Sequence, residues 1–338
     1  MLKKNVSLKP FNTFGINVQA QFFAEIRSQE QLVEILNLSE LSNYPKLVLG
    51  EGSNILFTEN FPGLILKMEI PGIRKISEDE EHVCLEVGAG ENWHQLVMYC
   101  LEQGYAGLEN LSLIPGTVGA APLQNIGAYG VEFKQVFLNL TALHIQNQTL
   151  EYFDNKACQF GYRESIFKTQ LRNQYIITSV ALRLHKIPRL NIDYAPLQKL
   201  LENTSKEHLT IKDISNAVIK IRREKLPDPK IIGNAGSFFK NPVITADQFQ
   251  DFIQHFPNAP YYNTADKNHY KIPAAWLIET CGWKGHRNGN AGVHQQHALV
   301  LVNYGEESGK NIHHLAQAIK ASVKEKFDLE LLTEVNIY

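Results

Sequence analysis

Cysteine is scarce: four residues in a chain of 338, namely Cys84, Cys100, Cys158 and Cys281, widely spaced and with no CxxC pair. That pattern excludes a disulfide scaffold and a thiolate zinc cluster, and it predicts reduced, mostly buried thiols. An excess of one charge is also missing. Lys and Arg number 33 against 35 Asp and Glu, a net charge of -2, so no nucleic-acid partner and no self-repelling disordered chain are expected. No apolar run approaches the roughly 18 residues of a membrane span. The two lysines of the opening MLKKNVSLKPFNTFG are not followed by the apolar stretch of a signal peptide, so the expectation is a cytoplasmic protein without a membrane partner. Internal repeats and low-complexity segments are absent.

What is present is ordinary globular composition, 44% hydrophobic and 20% charged, in a chain long enough for two or three domains. From about Phe22 to Leu184 short β-type runs dominate, among them PKLVLG, GLILKM, HVCLEVG and QYIITSVALRL, which reads as an α+β domain. One helix is predicted in NWHQLVMYCLEQG, with Trp93, Leu96, Val97, Cys100 and Leu101 on its apolar face and Gly104 ending it. A second runs through TIKDISNAVIKIRREK, capped by Thr210, striped by Ile211, Ile214, Val218 and Ile221, and stopped by LPDP. That proline pair marks a boundary near residue 226. Beyond it come a helix in NIHHLAQAIKASVKEKF and a closing strand, LELLTEVNIY.

Three glycine-rich corners border apolar runs: LGEGSNILF (49–57), VGAGENW (87–93) and IPGTVGAAPLQNIGAYG (114–130). Glycine permits positive φ and close backbone approach, so successive N–H groups can point at an anion such as a dinucleotide pyrophosphate. Ser53 and Asn54 offer side-chain bonds as well. Any one corner by itself is equally well a tight turn. None is a Rossmann fingerprint: GEGSNI and GAGENW lack the third glycine, and an apolar β-like run follows GEGSN where a helix is required. Flavin adenine dinucleotide is therefore favoured over a nicotinamide nucleotide as the resident cofactor.

NTFGI (12–16), LGEGSNILF, VGAGENWHQLV, GLENLSLIPGTVGAAPLQNIGAYGVE (107–132), FGYRESIFK (160–168), KLPDPK (225–230) and GNAGSFFKNP (233–242) together resemble the UDP-N-acetylenolpyruvoylglucosamine reductase family. These are flavoenzymes of bacterial peptidoglycan precursor synthesis. The resemblance runs in order from about residue 10 to the C-terminus. It implies an FAD-binding domain of the vanillyl-alcohol oxidase (PCMH) type over 1–187, a connector with a tyrosine loop over 188–230, and an α+β substrate domain over 231–338. It further implies NADPH-dependent reduction of the enolpyruvyl ether of UDP-N-acetylglucosamine to UDP-N-acetylmuramate; apart from the resemblance, a monomer is expected. The cofactor positions it implies are Gly50, Gly52, Ser53 and Asn54 in the first corner and Pro115, Gly116, Gly119, Asn125, Gly127, Ala128 and Tyr129 in the third.

The chemistry constrains the rest. Hydride addition at C3 of the enolpyruvyl group leaves carbanion character at C2, which requires donors or positive charge at the carboxylate and a proton donor near C2, shielded from water. Ser237 matches the family's proton donor; Gly236 eases backbone approach and Phe238 and Phe239 exclude water, whereas without the motif it reads as a glycine-turn serine. Arg163 matches the arginine on the substrate carboxylate, against a surface pair with Glu164. Glu334 matches the second acid, although the family's Pro-Glu-Val-Arg reads Thr-Glu-Val-Asn here. Period-2 alternation puts Leu331, Val335 and Ile337 on one face and Glu334 on the other, which also suits a solvent-facing carboxylate. For the substrate the resemblance implies Tyr194, Lys225, Asn241, Tyr262 and Gln296, with His297 beside Gln296 as an alternative register. Arg222, Arg223 and Lys225 also read as cations at a helix C-terminus. His294 and His297 precede ALVLV, and in extended chain residues three apart face opposite ways, so no metal is expected there.

Two further readings stay open at this level. One is an oxygen-using alcohol or sugar oxidase on the same flavin fold. The other is a flavin-binding sensor without catalysis.

Overall fold

The computed structural model describes every residue except positions 203, 206, 207 and 265. The short apolar runs of the first 70 residues become β1 (Lys3–Ser7), β2 (Gln19–Ile26), β3 (Lys46–Leu49), β4 (Ile55–Leu56) and β5 (Phe61–Met68), with α1 (Gln29–Leu36) after β2. Four of them form a sheet in the order β1-β2-β5-β3. Next come β6 (Ile73–Glu78), β7 (His82–Gly88), α2 (Trp93–Glu102), the two-residue strands β8 (Gly127–Ala128) and β9 (Val131–Glu132), β10 (Phe137–His144), β11 (Leu150–Asp154), α3 (Asn155–Cys158) and β12 (Tyr175–His185). A second, antiparallel sheet runs β11-β10-β12-β7-β6.

The predicted helices form for the predicted reasons. In α2 the Asn92 side chain accepts from Gln95 N at 2.8 Å, the expected five apolar residues are buried, and Gly104 stands at φ +75° past the end. α4 (Ala195–Leu201) and α5 (Ile211–Lys225) pack on each other through Leu197, Leu201, Ile214, Val218 and Ile221. At the start of α5, Thr210 Oγ1 accepts from Asp213 N while Asp213 accepts from Thr210 N, a reciprocal cap.

The C-terminal part holds β13 (Gly233–Ser237), β14 (Val243–Thr245), α6 (Ala246–His255), β15 (Tyr262–Asn263), β16 (His269–Lys271), α7 (Ala274–Thr280), β17 (Arg287–Asn288), β18 (Ala291–Val293), β19 (Val300–Asn303), α8 (Gly309–Phe327) and β20 (Asn336–Ile337). Its sheets run β13-β19-β18-β17 and β14-β16-β15. α8 buries Ile312, Leu315, Ile319, Val323 and Phe327, the last against the rings of Phe256 and Trp276.

Two compact units result: Met1–Val6, Ala20–Glu51 and Pro62–Glu224 make the first, and Ser7–Gln19, Gly52–Phe61 and Lys225–Tyr338 the second. This partition differs from a division at residues 187 and 230. Residues 188–224 go with the first unit, because α4 and α5 share their apolar cluster with Tyr129. Two N-terminal segments go with the second. Asn234 N donates to Thr13 O, Asn303 Nδ2 donates to Phe14 O, and β4 pairs in parallel with β20.

The closing strand needs correction. LELLTEVNIY is regular only over β20, because it changes partners: Thr333 bridges Phe239, and Asn336 then pairs with Ile55. The alternation survives the break. Leu329, Leu331 and Val335 are buried and Leu332 is exposed. Ile337 is only part-buried, and Glu334 is part-buried as well, so neither fits the simple two-face reading.

Candidate active site

In the second unit the backbone brings Ser237 and Glu334 onto neighbouring segments. Phe238 O accepts from Glu334 N at 2.8 Å, and Lys240 N donates to Leu332 O at 2.8 Å, so residues 238–240 run antiparallel to 332–334. Ser237 ends β13 after a bulge that lies between Asn234 and Ser237 in the pairing with β19. The bulge has an identifiable organiser. Asn234, 4% exposed, accepts from Gly236 N at 2.9 Å and donates to Pro227 O at 3.1 Å and Ile232 O at 2.8 Å. Gly236 takes φ +70°, and a Cβ there would meet nothing within 4 Å, so its glycine answers a backbone conformation, with open space above it. Phe238 and Phe239 are fully buried and meet edge to face at 5.1 Å. Asn54, expected at the cofactor, donates through Nδ2 to Glu334 O at 3.2 Å and accepts from Asn336 N at 3.1 Å through its own carbonyl. These bonds hold the Glu334 segment in place.

In the first unit Arg163 sits in a turn closed by Gly161 N to Glu164 O at 3.0 Å. Its φ of +55° is uncommon for a residue with a side chain. One guanidinium nitrogen donates to Gly127 O at 2.6 Å, which ties the arginine to the third glycine corner. Asn125, wholly buried, braces the same turn through its side chain, with Nδ2 donating to Gly161 O at 3.1 Å and Oδ1 accepting from Lys134 N at 3.0 Å. Its amide thus positions the segment that carries Arg163.

The glycine corners of this unit are laced together. Trp93 N donates to Gly116 O, Val118 N to Glu91 O and Gly119 N to Ala89 O. Glu51, inside LGEGSN, accepts from Asn92 Nδ2 with one oxygen and from Gly116 N, at 2.8 Å, with the other. At Gly50 a Cβ would stand 2.6 Å from Thr117 Oγ1, so a side chain would force the first and third corners apart. Beside them, Arg222 donates to Leu113 O at 3.2 Å, and burial pushes its guanidinium below its ordinary value, an effect that the neighbouring Tyr129 opposes and Arg163 adds to. Among the described residues no carboxylate pairs with Arg222. A poorly hydrated cation beside converging glycine corners fits an anionic cofactor such as FAD. Gly50, Pro115, Gly116, Gly119, Gly127, Ala128 and Tyr129 would hold it there; Gly52 and Ser53 belong to the second unit.

The expected substrate residues have varied settings. Tyr194 precedes α4, half-buried, its ring edge-to-face with Tyr129 at 5.2 Å, and burial pushes its phenol up. Lys225 is the exposed last residue of α5. Asn241 Oδ1 accepts from Ala274 N at 2.9 Å at the start of α7. Tyr262 is 53% exposed on an edge strand, with Lys271 Nζ 5.6 Å from its ring centre. Gln296 is exposed in the turn between β18 and β19. The extended geometry expected for His294 and His297 is corrected here, because both lie in that turn: His294 N donates to Val300 O and Val300 N donates to His297 O. Burial, then Lys225 and then His294, hold the His297 imidazole below its ordinary value. Among the described residues no three His, Cys, Asp or Glu side chains gather as a metal site requires.

Glu51, Arg222 and Asn234 make contacts around the candidate site that sequence reasoning misses. Glu51 and Asn234 stand inside glycine motifs whose glycines draw the attention first; Arg222 reads from sequence only as a helix-end charge.

Comparison with known proteins accounts for the whole chain. Residues 20–149 match an FAD binding domain, and residues 228–338 match the C-terminal domain of UDP-N-acetylenolpyruvoylglucosamine reductase. The chain is 52% identical over 336 residues to the enzyme of that name from Amoebophilus asiaticus, covering 99% of each, and 48% identical to the one from Pseudomonas putida, covering 99% and 98%. A crystal structure of the Thermus caldophilus reductase shares the fold, with a TM-score of 0.67 at 24% identity and full coverage of both chains. With the glycine corners, the Arg163 turn and the paired Ser237 and Glu334 segments all in place, this similarity over full length means that the chain belongs to the UDP-N-acetylenolpyruvoylglucosamine reductase family.

Proposed function

We propose that this chain catalyses the NADPH-dependent reduction of the enolpyruvyl ether of UDP-N-acetylglucosamine to UDP-N-acetylmuramate, within peptidoglycan precursor synthesis. Full-length identity to reductases of that name supports the reaction. The observation that carries the assignment of roles is the bond from Glu334 N to Phe238 O, which sets the second acid's segment beside the serine's. FAD, reduced by NADPH, supplies hydride for C3 of the enolpyruvyl group.

The protein's own residues do the rest. Arg163 binds the carboxylate and stabilises the enediolate character that develops as C2 gains electron density. Ser237 delivers its proton to C2, completing addition of one hydride and one proton across the double bond. Glu334 acts with Arg163 on the same developing charge. Lys225, Tyr194, Asn241, Tyr262 and Gln296 bind the nucleotide diphosphate sugar, and Tyr194 closes over it. NADPH and the UDP-sugar use one cleft in turn, and both are cytoplasmic metabolites, which supports a cytoplasmic enzyme; we take it to act as a monomer. No helix among the described residues is long and apolar enough to cross a membrane.

An anaerobic experiment tests the proposal. The flavin is bleached with NADPH, excess reductant is removed, and the enolpyruvyl UDP-sugar is added. The oxidised spectrum should return within turnover time. If only oxygen restores it, the chain is an oxidase.

A further inference from the structure

A cavity of about 290 Å³ opens at the end of the five-stranded sheet where β7 starts, β12 ends and β10 begins. β7 has seven residues, so at ~3.3 Å per residue this place lies about 20 Å along the strand from the Gly88–Gly90 corner. The nitrogen-bearing side chains around it are His82, His185, Arg183, Lys134, Gln135 and Asn155. His82 and His185 are cross-strand partners with ring centres 5.0 Å apart. Arg183, exposed, meets His82 Nδ1 at 3.1 Å. Nothing in the flavin chemistry uses these groups.

A second observation marks the same spot. The pairing of β10 with β12 skips one residue between Phe137 and Asn139, so Leu138 is a bulge residue on the cavity wall. Bulges of this kind re-aim a strand beside functional sites and leave one residue's backbone outside the ladder. Two imidazoles, a guanidinium and an ammonium are thus held around one small space. Like charges are costly there unless an anion joins them or the imidazoles stay neutral.

The geometry points to a binding site for a small phosphate-class anion at this cavity, held by Arg183, Lys134 and the His82–His185 pair. The volume lies at the bottom of the range that holds small ligands, so a dinucleotide is excluded and a phosphate, a pyrophosphate or a small phosphate ester is admitted. Arg183 supplies a planar fork for two phosphate oxygens, and Lys134 a point charge. The opposing carboxylates are identifiable: Glu132 pairs with Lys134 at 2.9 Å and Asp79 lies 3.5 Å from His82 Nδ1, with Glu81 near His185. Arg189 and Arg183 act on His185 in the opposite sense to Glu81; Lys186 is engaged with Glu78.

The sign of the pH dependence follows. Burial, then His82, Arg189 and Arg183, hold the His185 imidazole below its ordinary value, and an oxyanion reverses those charge contributions, so affinity rises as pH falls through the imidazole range. The test uses the holoenzyme with isotope-labelled histidine, resonances of His82 and His185 being assigned from His82→Gln and His185→Gln. At 10 mM pyrophosphate, against chloride of equal ionic strength, both resonances should move and the His185 titration midpoint should rise. Arg183→Ser should weaken binding roughly tenfold while NADPH-driven turnover stays at the wild-type rate. Parallel titrations with inorganic phosphate and glucose 6-phosphate identify the source: tighter binding of the ester indicates a phosphorylated metabolite, and tighter binding of the free ion an inorganic anion. No movement of either imidazole in the wild-type protein with any of the three, or an undiminished response in Arg183→Ser, overturns the proposal.

Discussion

Asn234→Ala should separate the bulge that aims Ser237 from the serine itself. The buried amide makes three bonds, to Gly236 N, Pro227 O and Ile232 O, at 2.9, 3.1 and 2.8 Å. Truncation leaves one N–H and two carbonyls to find water or remain unmade. At about 1 kcal/mol per bond the loss is about 3 kcal/mol, with the upper end near twice that if water cannot enter. For a domain of this size, at about 2–4 °C per kcal/mol, the melting temperature should fall by roughly 10 °C. Turnover measured well below that transition should also fall, by roughly tenfold or about 1.4 kcal/mol, because Gly236 is released from its positive φ and Ser237 follows it. Asn234→Asp discriminates between the two effects. It retains an acceptor for Gly236 N and so preserves the bulge, but it sets a second oxygen against two carbonyls. It should be at least as unstable as the alanine variant yet turn over near the wild-type rate at low temperature. Calorimetry and steady-state kinetics on the same preparations suffice. An alanine variant that melts within about 2 °C of wild type, or an aspartate variant as slow as the alanine one, would refute the argument.

Glu51→Gln keeps the shape but presents an NH₂ to one of two donors, Asn92 Nδ2 or Gly116 N, so the corners should loosen and FAD dissociate roughly tenfold more readily, as read by flavin fluorescence; unchanged retention would leave Glu51 without that role. Burial pushes the Cys100 and Cys158 thiols up to about 12 from an ordinary 9.0. Both should resist a disulfide reagent in the native protein at pH 8. Their stability contribution, complete below the unfolded value, should be lost as pH rises from about 9 toward 12, so the melting temperature should drop over that interval. Rapid labelling of either thiol under native conditions contradicts this. Hydrogen exchange over residues 188–202 should slow when the UDP-sugar is added, since Tyr194 rests on Tyr129 in a small apolar cluster that can release it; equal protection with and without ligand makes Tyr194 part of a rigid wall.

The helices are legible because each carries its own signal in one stretch: Asn92 and Gly104 bracket α2, and Thr210 with Asp213 starts α5. The glycine corners are legible as corners for the same reason. Their mutual lacing is not, since Glu51 reaches Gly116 across 65 positions and no local pattern encodes a partner so distant. The closing segment fails as a regular strand because its alternation reports only which side is buried, whereas its pairing is divided between Phe239 and Ile55. The histidine turn between β18 and β19 escapes notice because GVHQQHALV has no Pro, Asn or Asp to mark a reversal. Residues 7–19 and 52–61 join the second unit through bonds from their backbone to Asn234 N, the Asn303 side-chain amide and β20, contacts to which side-chain periodicity is blind.

The role of Ser237 is tested most directly by separating the two half-reactions of Ser237→Ala in an anaerobic stopped-flow experiment. The serine serves only proton delivery to C2, so NADPH should bleach the bound flavin of the variant at the wild-type rate. Reoxidation by the enolpyruvyl UDP-sugar should then be slower by roughly 10² or more. Equal slowing of both half-reactions, or reoxidation at the wild-type rate, would contradict the assignment of Ser237 as the proton donor.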